Sequence, residues 1–457
     1  MDKRPHIQIT FLGGAGTVTG SKYLIEINEN KLLVDCGLFQ GLKQLRQLNW
    51  DKLPADASTI SHVLLTHGHL DHVGYLPLLV KQGFKGAIYT TQPTIEVTKV
   101  ILKDSAKIQE EDAERANRYR YSKHKPARPL YDTEEAEAVF PFLMPKPVNQ
   151  WVSLFPGVSF RFRQNGHIIG SVFIELDVSG KLWVFSGDVG RENDPLMRRP
   201  ERPGKADLLF LESTYGNRIH PSDTKQKLAD ALQQAIARNG TIIIPSFAVE
   251  RAQLLLYYLS QLRAEKLIPE IPVYFDSPMG SEVLHVFHRN IQWLKLSKDE
   301  FTEMCAGVNI VQKQEETERL AKNKSPKIII AGSGMAAGGR VLTYFEHYLA
   351  DPAATILIVG YQGEGTRGRA MLEGASEIKM QGKYWPLKAS VVNVQGLSAH
   401  ADQRELLNWL SDLKTAPEKI FIVHGEKAGS EALQKELKAT YGYESILPQL
   451  YQTFQVS

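Results

Sequence analysis

Residues 66–72 read Thr66-His67-Gly68-His69-Leu70-Asp71-His72, three imidazoles and a carboxylate crowded onto one short stretch. Such groups are costly to desolvate together unless a positive centre shares their lone pairs. A divalent metal does this, and histidine nitrogen mixed with aspartate oxygen suits zinc better than calcium or magnesium, which take all-oxygen shells. No cysteine stands in the stretch, which argues against a closed structural zinc site and for a catalytic one with positions open to water or substrate. With 13 His in 457 residues, His-x-His-x-Asp-His is expected by chance roughly once in a few thousand chains of this length. The apolar run 63–65 reads as a buried strand and 73–80 as the first turns of a helix, so the histidines lie on the turn between them. Gly68 lets the backbone bend between two ligands.

The length suggests two domains, and 43% hydrophobic residues can bury both cores. A formal charge of +3, from 54 basic and 51 acidic residues, is too small to mark a nucleic-acid binder by itself, so any such surface is local. Cys36 and Cys305 alone imply neither a disulfide framework nor a cysteine zinc site, which fits a reducing compartment. The start, Met-Asp-Lys-Arg-Pro-His, shows no signal-peptide core, and no apolar run approaches membrane-spanning length. The expectation is a cytoplasmic protein with no membrane association.

Taken in order, 7–12 and 22–27 read as strands joined by the glycine-rich stretch 13–20, a hairpin or loop rather than a phosphate cradle, because no helix follows. Residues 31–34 form a further strand ending on Asp35, which by itself reads as a turn cap. A charged helix covers 94–119. The segment 122–129, with Lys123, Lys125 and Arg128, reads as a solvated basic loop. Strands at 158–163 and 181–186 lead to His167 and Asp188. Asp35, His67, His167, Asp188, His400 and His424 each follow closely on the carboxyl end of an apolar β-like run, so their side chains can converge on one rim of an α/β fold.

From about residue 223 helix and strand alternate: helix 224–238, strand 241–245, helix 250–265, strand 272–275, strand 327–331, a helix from 339 and strand 355–359. That is the pattern of a parallel sheet flanked by helices, hence of a separate domain. Residues 331–340, Ala-Gly-Ser-Gly-Met-Ala-Ala-Gly-Gly-Arg, sit between strand and helix. They could hold a phosphate on backbone N–H groups or form a tight structural turn. They are not a dinucleotide fingerprint, since the third glycine is displaced and no acid follows the next strand. From 388 the β-like pattern returns at 390–394, followed by strand 419–423. One domain split by an inserted one is the simplest account, with the cleft between them as substrate site.

His67, His69, Asp71 and His72 resemble the signature of the metallo-β-lactamase superfamily of metal-dependent hydrolases. Its iron-binding branch carries Glu at the second histidine, so His69 points to zinc. Nearly the whole chain further resembles the β-CASP group of that superfamily, nucleases acting on RNA or DNA that include the mRNA 3′-end-processing endonuclease. The group's marks appear as Glu212 in Glu-Ser-Thr-Tyr-Gly, His400 in Ser-Ala-His-Ala-Asp and His424 in Val-His-Gly-Glu. Histidine at the third mark goes with RNA substrates.

The resemblance implies an αββα sandwich, residues 1–215 and 388–457, split by an inserted β-CASP domain at 216–387 with a Rossmann-like parallel sheet. It implies two Zn2+ per chain, one held by His67, His69, His167 and Asp188 and the other by Asp71, His72, His424 and the bridging Asp188, with Asp35 bracing the ligands. The reaction implied is RNA hydrolysis by a hydroxide shared between two metals roughly 3.5–4 Å apart. His400 serves as general acid and Glu212 raises its pKa, giving 5′-phosphate and 3′-hydroxyl products. Single-stranded RNA is the expected partner, endonucleolytic cleavage the expected mode with 5′–3′ exonuclease action open, and a homodimer is allowed. Ser398, Ala399 and Ala401 beside His400, and Ser333, Arg340, Arg367 and Arg369 in the inserted domain, are the candidate RNA contacts. Two rival readings are an RNA-binding scaffold that has lost catalysis and a small-molecule thioester or lactone hydrolase. Both sit poorly with a complete ligand set and with Glu212 and His400.

Overall fold

The computed structural model describes residues 6–120 and 124–456; Lys123 lies outside them. The chain forms two compact units, Met1–Ile219 with His400–Ser457, and His220–Ala399.

The first unit carries two sheets. One runs in the order Thr453–Val456, Ile7–Gly13, Lys22–Ile27, Asn30–Val34, Ile60–Leu64, Ala87–Thr90 and Leu143–Pro145. The other runs Lys419–Val423, Leu208–Glu212, Lys181–Phe185, Val172–Val178, Val158–Gln164 and Val152–Phe155. Two-residue alternation sends one face of each sheet inward. Ile9, Phe11, Ile25 and Val34 from the first meet Phe160, Phe162, Ile174, Trp183 and Phe210 from the second in one buried core. Phe185 and Phe210 stack at 4.1 Å, and Phe210 and Phe421 at 5.1 Å. Each such buried ring contributes about 1.5–3 kcal/mol. The opposite face of the second sheet, through Phe173, Leu209, Leu211 and Ile422, packs on Leu406 and Trp409 of helix Gln403–Trp409 and Leu433 and Leu437 of helix Lys427–Tyr441. Helices Leu76–Lys81 and Gln92–Tyr119 bury Leu76, Leu79, Val97 and Leu102 and follow the strands of the first sheet. The layers are those of the expected αββα sandwich.

Two features depart from the sequence reading. The terminal strand Thr453–Val456, unforeseen, pairs antiparallel with Ile7–Gly13 and closes the edge of the first sheet. The strand Ser390–Asn393 was expected in the hydrolase domain but lies parallel to Thr355–Ile358 in the second unit's sheet, which carries that unit on to Ala399 instead of 387.

In the second unit six strands run in the order Val308–Ile310, Val273–Asp276, Lys327–Ala331, Thr241–Pro245, Thr355–Ile358 and Ser390–Asn393. Every pairing is parallel. The strands Thr241–Pro245 and Lys327–Ala331 are buried along their whole length, as a sheet with helices on both faces requires. The antiparallel pair Glu377–Met380 and Lys383–Pro386 forms a separate hairpin.

Candidate metal centre

The strand Ile60–Leu64 delivers the chain to Thr66, and His67 to His72 run through a turn into the single helical turn Leu70–Val73. Gly68 is required for a different reason from the one its sequence suggests. Its φ is not left-handed, but a Cβ there would meet Val97 Cγ1 at 2.6 Å, so glycine permits the loop to lie against the long helix. Gly37 plays a parallel part, because its Cβ would fall 1.6 Å from the Asp71 carbonyl oxygen.

Asp35 follows the strand Asn30–Val34 with φ +57°, a left-handed conformation that aspartate tolerates better than most residues. Its Oδ1 accepts from Thr66 N at 2.8 Å and its Oδ2 faces His72 Nδ1 at 2.8 Å, while Thr66 Oγ1 donates at 2.9 Å. The carboxylate thereby fixes the ring of His72, leaving Nε2 to face the cluster.

His167 lies in the turn after Val158–Gln164, where its backbone N–H donates to Ser171 Oγ at 2.9 Å. The preceding Asn165, missed in the sequence, donates from Nδ2 to the carbonyls of Ser186 and Asp188, both at 2.6 Å, and so ties the His167 turn to the Asp188 turn. His424 follows Lys419–Val423 with φ +47°, and its N–H donates to Gly14 O at 2.7 Å. Thr214 Oγ1, also unforeseen, sits 3.1 Å from His424 Nδ1.

These turns bring together every metal ligand expected from the sequence. His67, His69, His167 and Asp188 form one group and Asp71, His72 and His424 another, with the potential ligand atoms of each group within 4.8 Å of one another. Asp188 stands between them: Oδ2 lies 3.4 Å from His67 Nε2 and 3.5 Å from His167 Nε2, while Oδ1 lies 3.3 Å from His72 Nε2 and 3.2 Å from His424 Nδ1. Although buried, Asp188 Oδ1 accepts no hydrogen bond among the described residues, and His67 Nε2 and His167 Nε2 both crowd His69 Nδ1, at 3.1 and 3.2 Å. Lone pairs facing one another at such spacing fit a shared cation.

The electrostatics agree. Burial pushes His67 down to about 3, His69 to about 4 and His167 well below its ordinary value, keeping these rings neutral as ligands must be. Burial acts to raise Asp188, yet the surrounding imidazoles, His424 and His72 foremost, hold it well below the usual carboxylate range. His72 goes the other way: burial lowers it, but Asp188 and Asp35 together outweigh burial. A proton on His72 is incompatible with ligation, and a cation beside Asp188 supplies the positive charge in its place.

Glu212 ends the strand Leu208–Glu212, fully buried, with Oε1 accepting from Val189 N at 2.7 Å and Oε2 from Thr214 N at 3.2 Å. Oε1 also faces His400 Nδ1 at 3.2 Å, and His400 Nε2 lies 3.9 Å from Asp188 Oδ2. His400 is held by a bridge to Gly190, and the strand before it in sequence belongs to the other unit's sheet, so no strand end of the first unit's two sheets delivers it. Burial lowers its pKa, but Glu212 and Asp188 more than offset this and hold it above its ordinary value. The side chains of Asp71 and His400 keep 17% and 15% exposure, against 2% or less for His67, His72 and His167, which marks the side open to a substrate.

The expected RNA contacts have other surroundings. Ala401 N donates to Val189 O at 2.7 Å, so that amide is not available to a phosphate, and Ser398 and Ala399 are buried. Ser333 Oγ accepts from Ala337 N and Gly338 N within its own loop, the tight-turn alternative for that stretch. Arg340 is paired with buried Asp276 at 2.5 Å, and Arg367 donates to the carbonyls of Lys379, Ala336 and Ala337. Both arginines thus brace the glycine loop from within. Arg369 is paired with Glu373 one helical turn on.

Comparison with known proteins follows the same lines. Residues 15–246 match the metallo-β-lactamase superfamily, 252–371 the Beta-Casp domain, and 384–448 the Zn-dependent metallo-hydrolase RNA specificity domain. The chain is 34% identical to Ribonuclease TTHA0252 of Thermus thermophilus over 96% of its own length and 98% of that protein's. It is 29% identical to the transcription termination factor FttA of Methanosarcina mazei, over 94% of this chain and 69% of that protein, and 28% identical to that of Pyrococcus horikoshii, over 98% and 71%. A crystal structure of a protein of unknown function from Enterococcus faecalis V583 shares the fold, with a TM-score of 0.55 at 13% identity over 99% of this chain and 100% of that one. The chain belongs to the β-CASP family of the metallo-β-lactamase superfamily, a family of metal-dependent hydrolases.

Proposed function

We propose that the protein is a zinc-dependent ribonuclease that cleaves single-stranded RNA internally, leaving 5′-phosphate and 3′-hydroxyl ends. The observation that carries this reading is the position of Asp188, whose two oxygens face two separate histidine groups while His400, backed by Glu212, flanks it on the open side. The relatives' names, a ribonuclease and transcription termination factors, and the RNA specificity domain matched at 384–448 support RNA as substrate. Histidine at position 424 agrees with the RNA-directed members that the sequence resembles.

His67, His69, His167 and Asp188 would hold one zinc and Asp71, His72, His424 and Asp188 a second. When bound, two such cations neutralise phosphate charge and bring the pKa of a water into the neutral range. The chain's own residues do the rest. Asp35 keeps the His72 ring turned to the cluster, and Asn165 keeps the His167 and Asp188 turns in register. Glu212 accepts from His400 Nδ1 and stabilises the imidazolium, whose Nε2–H faces the Asp188 side. As the O3′–P bond breaks, that proton passes to the departing 3′-oxygen. Water provides the oxygen that remains on phosphorus, so the 2′-hydroxyl is not consumed and the downstream fragment keeps a 5′-phosphate.

The test uses purified protein, its zinc content measured, against end-labelled RNA with a free or blocked 5′ end, a DNA copy and a thioester. Zinc-dependent RNA cleavage, indifferent to the 5′ block and giving ends that accept ligation to a 3′-hydroxyl partner, is the expected result. Thioester turnover without RNA cleavage would favour the small-molecule reading, and RNA binding without cleavage the scaffold one.

A further inference from the structure

Arg218 lies on the turn after Glu212 and is exposed. Its guanidinium stands 5.5 Å from the centroid of the Tyr215 ring, and that ring stands 6.1 Å from the imidazole of His400, tilted by 46°. Among the described residues the guanidinium has no hydrogen bond or ion pair. In this it differs from Arg161, Arg163 and Arg202 of the same unit, each paired with a carboxylate. A guanidinium held by the face of an aromatic ring, with no partner on its N–H groups, keeps those donors for a phosphate, which it can bind through two parallel hydrogen bonds.

The turn is also fixed relative to the proposed acid. Arg218 N donates to Tyr215 O at 3.0 Å, and Gln403 reaches back twice, from N to Arg218 O at 3.0 Å and from Nε2 to Gly216 O at 2.6 Å. Gln403 opens the helix Gln403–Trp409, just after His400. The segment carrying the cation and the segment carrying the imidazole therefore hold each other, and binding a strand at Arg218 sets its distance from His400 before chemistry begins.

We infer that Arg218 binds a backbone phosphate of the RNA strand next to the one being cleaved, on the side of the departing 3′-oxygen. This rests on the ribonuclease reading above. Tyr215 serves as the platform that orients the guanidinium, and Gln403 locks the turn.

The experiment measures binding of a labelled single-stranded RNA oligonucleotide to protein kept zinc-free with chelator, across a series of salt concentrations, for wild type, R218A and R218K. R218A should bind about tenfold more weakly, and its slope of log affinity against log salt should be shallower by about 0.7, the loss of one phosphate contact on a single strand. R218K keeps the charge, so its slope should match wild type while its affinity falls between the two. In turnover, R218A should raise KM for RNA more than it lowers kcat. An R218A protein with wild-type affinity and slope overturns the inference, as does an R218K slope reduced as far as that of R218A. Wild type that hydrolyses the thioester and neither binds nor cleaves RNA overturns the ribonuclease reading and this inference with it, whereas RNA cleavage by wild type with unaltered R218A overturns the inference alone.

Discussion

Replacing Asp35 with Asn separates the two proposed zinc positions. The native carboxylate accepts on both oxygens, from Thr66 N at 2.8 Å on one side and toward His72 Nδ1 at 2.8 Å on the other. Asparagine has one acceptor and one donor end, and it tolerates the left-handed backbone at φ +57°, where alanine would add about 1–2 kcal/mol of strain. If the amide oxygen faces Thr66, the NH2 group faces His72 Nδ1 and forces the proton to Nε2, the atom that must ligate. If the oxygen faces His72, the buried Thr66 N–H loses its acceptor, at a cost of about 1–3 kcal/mol. Either way affinity at the position built from Asp71, His72 and His424 should fall by about 10- to 100-fold, equivalent to about 1.4–2.8 kcal/mol. Among the described residues Asp35 bonds Thr66 and His72 and not His67, His69 or His167, so the other position should keep its affinity within a factor of a few. Zinc titration against a chromogenic chelator should show two equal steps in wild type become one tight and one weak in Asp35→Asn. Two unchanged steps, or two equally weakened ones, would refute the assignment of Asp35 to His72.

His67→Ala should lose zinc and RNA cleavage together, whereas His400→Ala should keep its zinc and lose about 10²–10⁴ in kcat; metal analysis beside a cleavage assay decides, and full turnover in His400→Ala would end the acid assignment. Glu212→Gln removes the leading influence that raises His400 against burial. Since activity needs the proton on His400 and is lost as pH rises through its pKa, the alkaline limb of the kcat profile should move to lower pH, and an unmoved limb would place the acid elsewhere. Arg340→Ala strands buried Asp276 and should cost about 3–5 kcal/mol in denaturant unfolding of the second unit. The salt dependence of RNA binding should stay as in wild type, the reverse of what the sequence alone suggests.

Much of the centre was legible because its chemistry is local or periodic. His67 to His72 stand together, and His167, Asp188 and His424 each follow an apolar run that turned out to be a strand. The parallel sheet of the second unit showed in the alternation of elements, with strands at Thr241–Pro245 and Lys327–Ala331 falling where periodicity put them. Strand membership was harder. Residues 390–393 look alike whether they extend one sheet or another, since an apolar run records burial and not its neighbour, and the pairing with Thr355–Ile358 is set by chain path. The terminal strand Thr453–Val456 carries a single buried residue, Val456, too weak a pattern to register as an edge strand.

The residues that orient the ligands were illegible for a further reason. Thr66, Asn165 and Thr214 act by short side chains bonded to partners as far as 210 positions away, and such bonds leave no spacing to detect. The arginines show the same limit from the other side. Arg340 beside a glycine loop invites a phosphate, yet its fork closes on Asp276 and the carbonyls of Val311 and Gln312. Arg218, which sits in no basic cluster, carries no hydrogen bond or ion pair on its guanidinium among the described residues and lies against Tyr215, whose ring neighbours that of His400. What decides between a brace and a ligand is whether a carboxylate or carbonyl of the same chain already fills the fork, because a satisfied guanidinium gains little from a second anion and loses its first. Charge along the sequence therefore locates candidates, and only the count of unspent donors around the site selects among them.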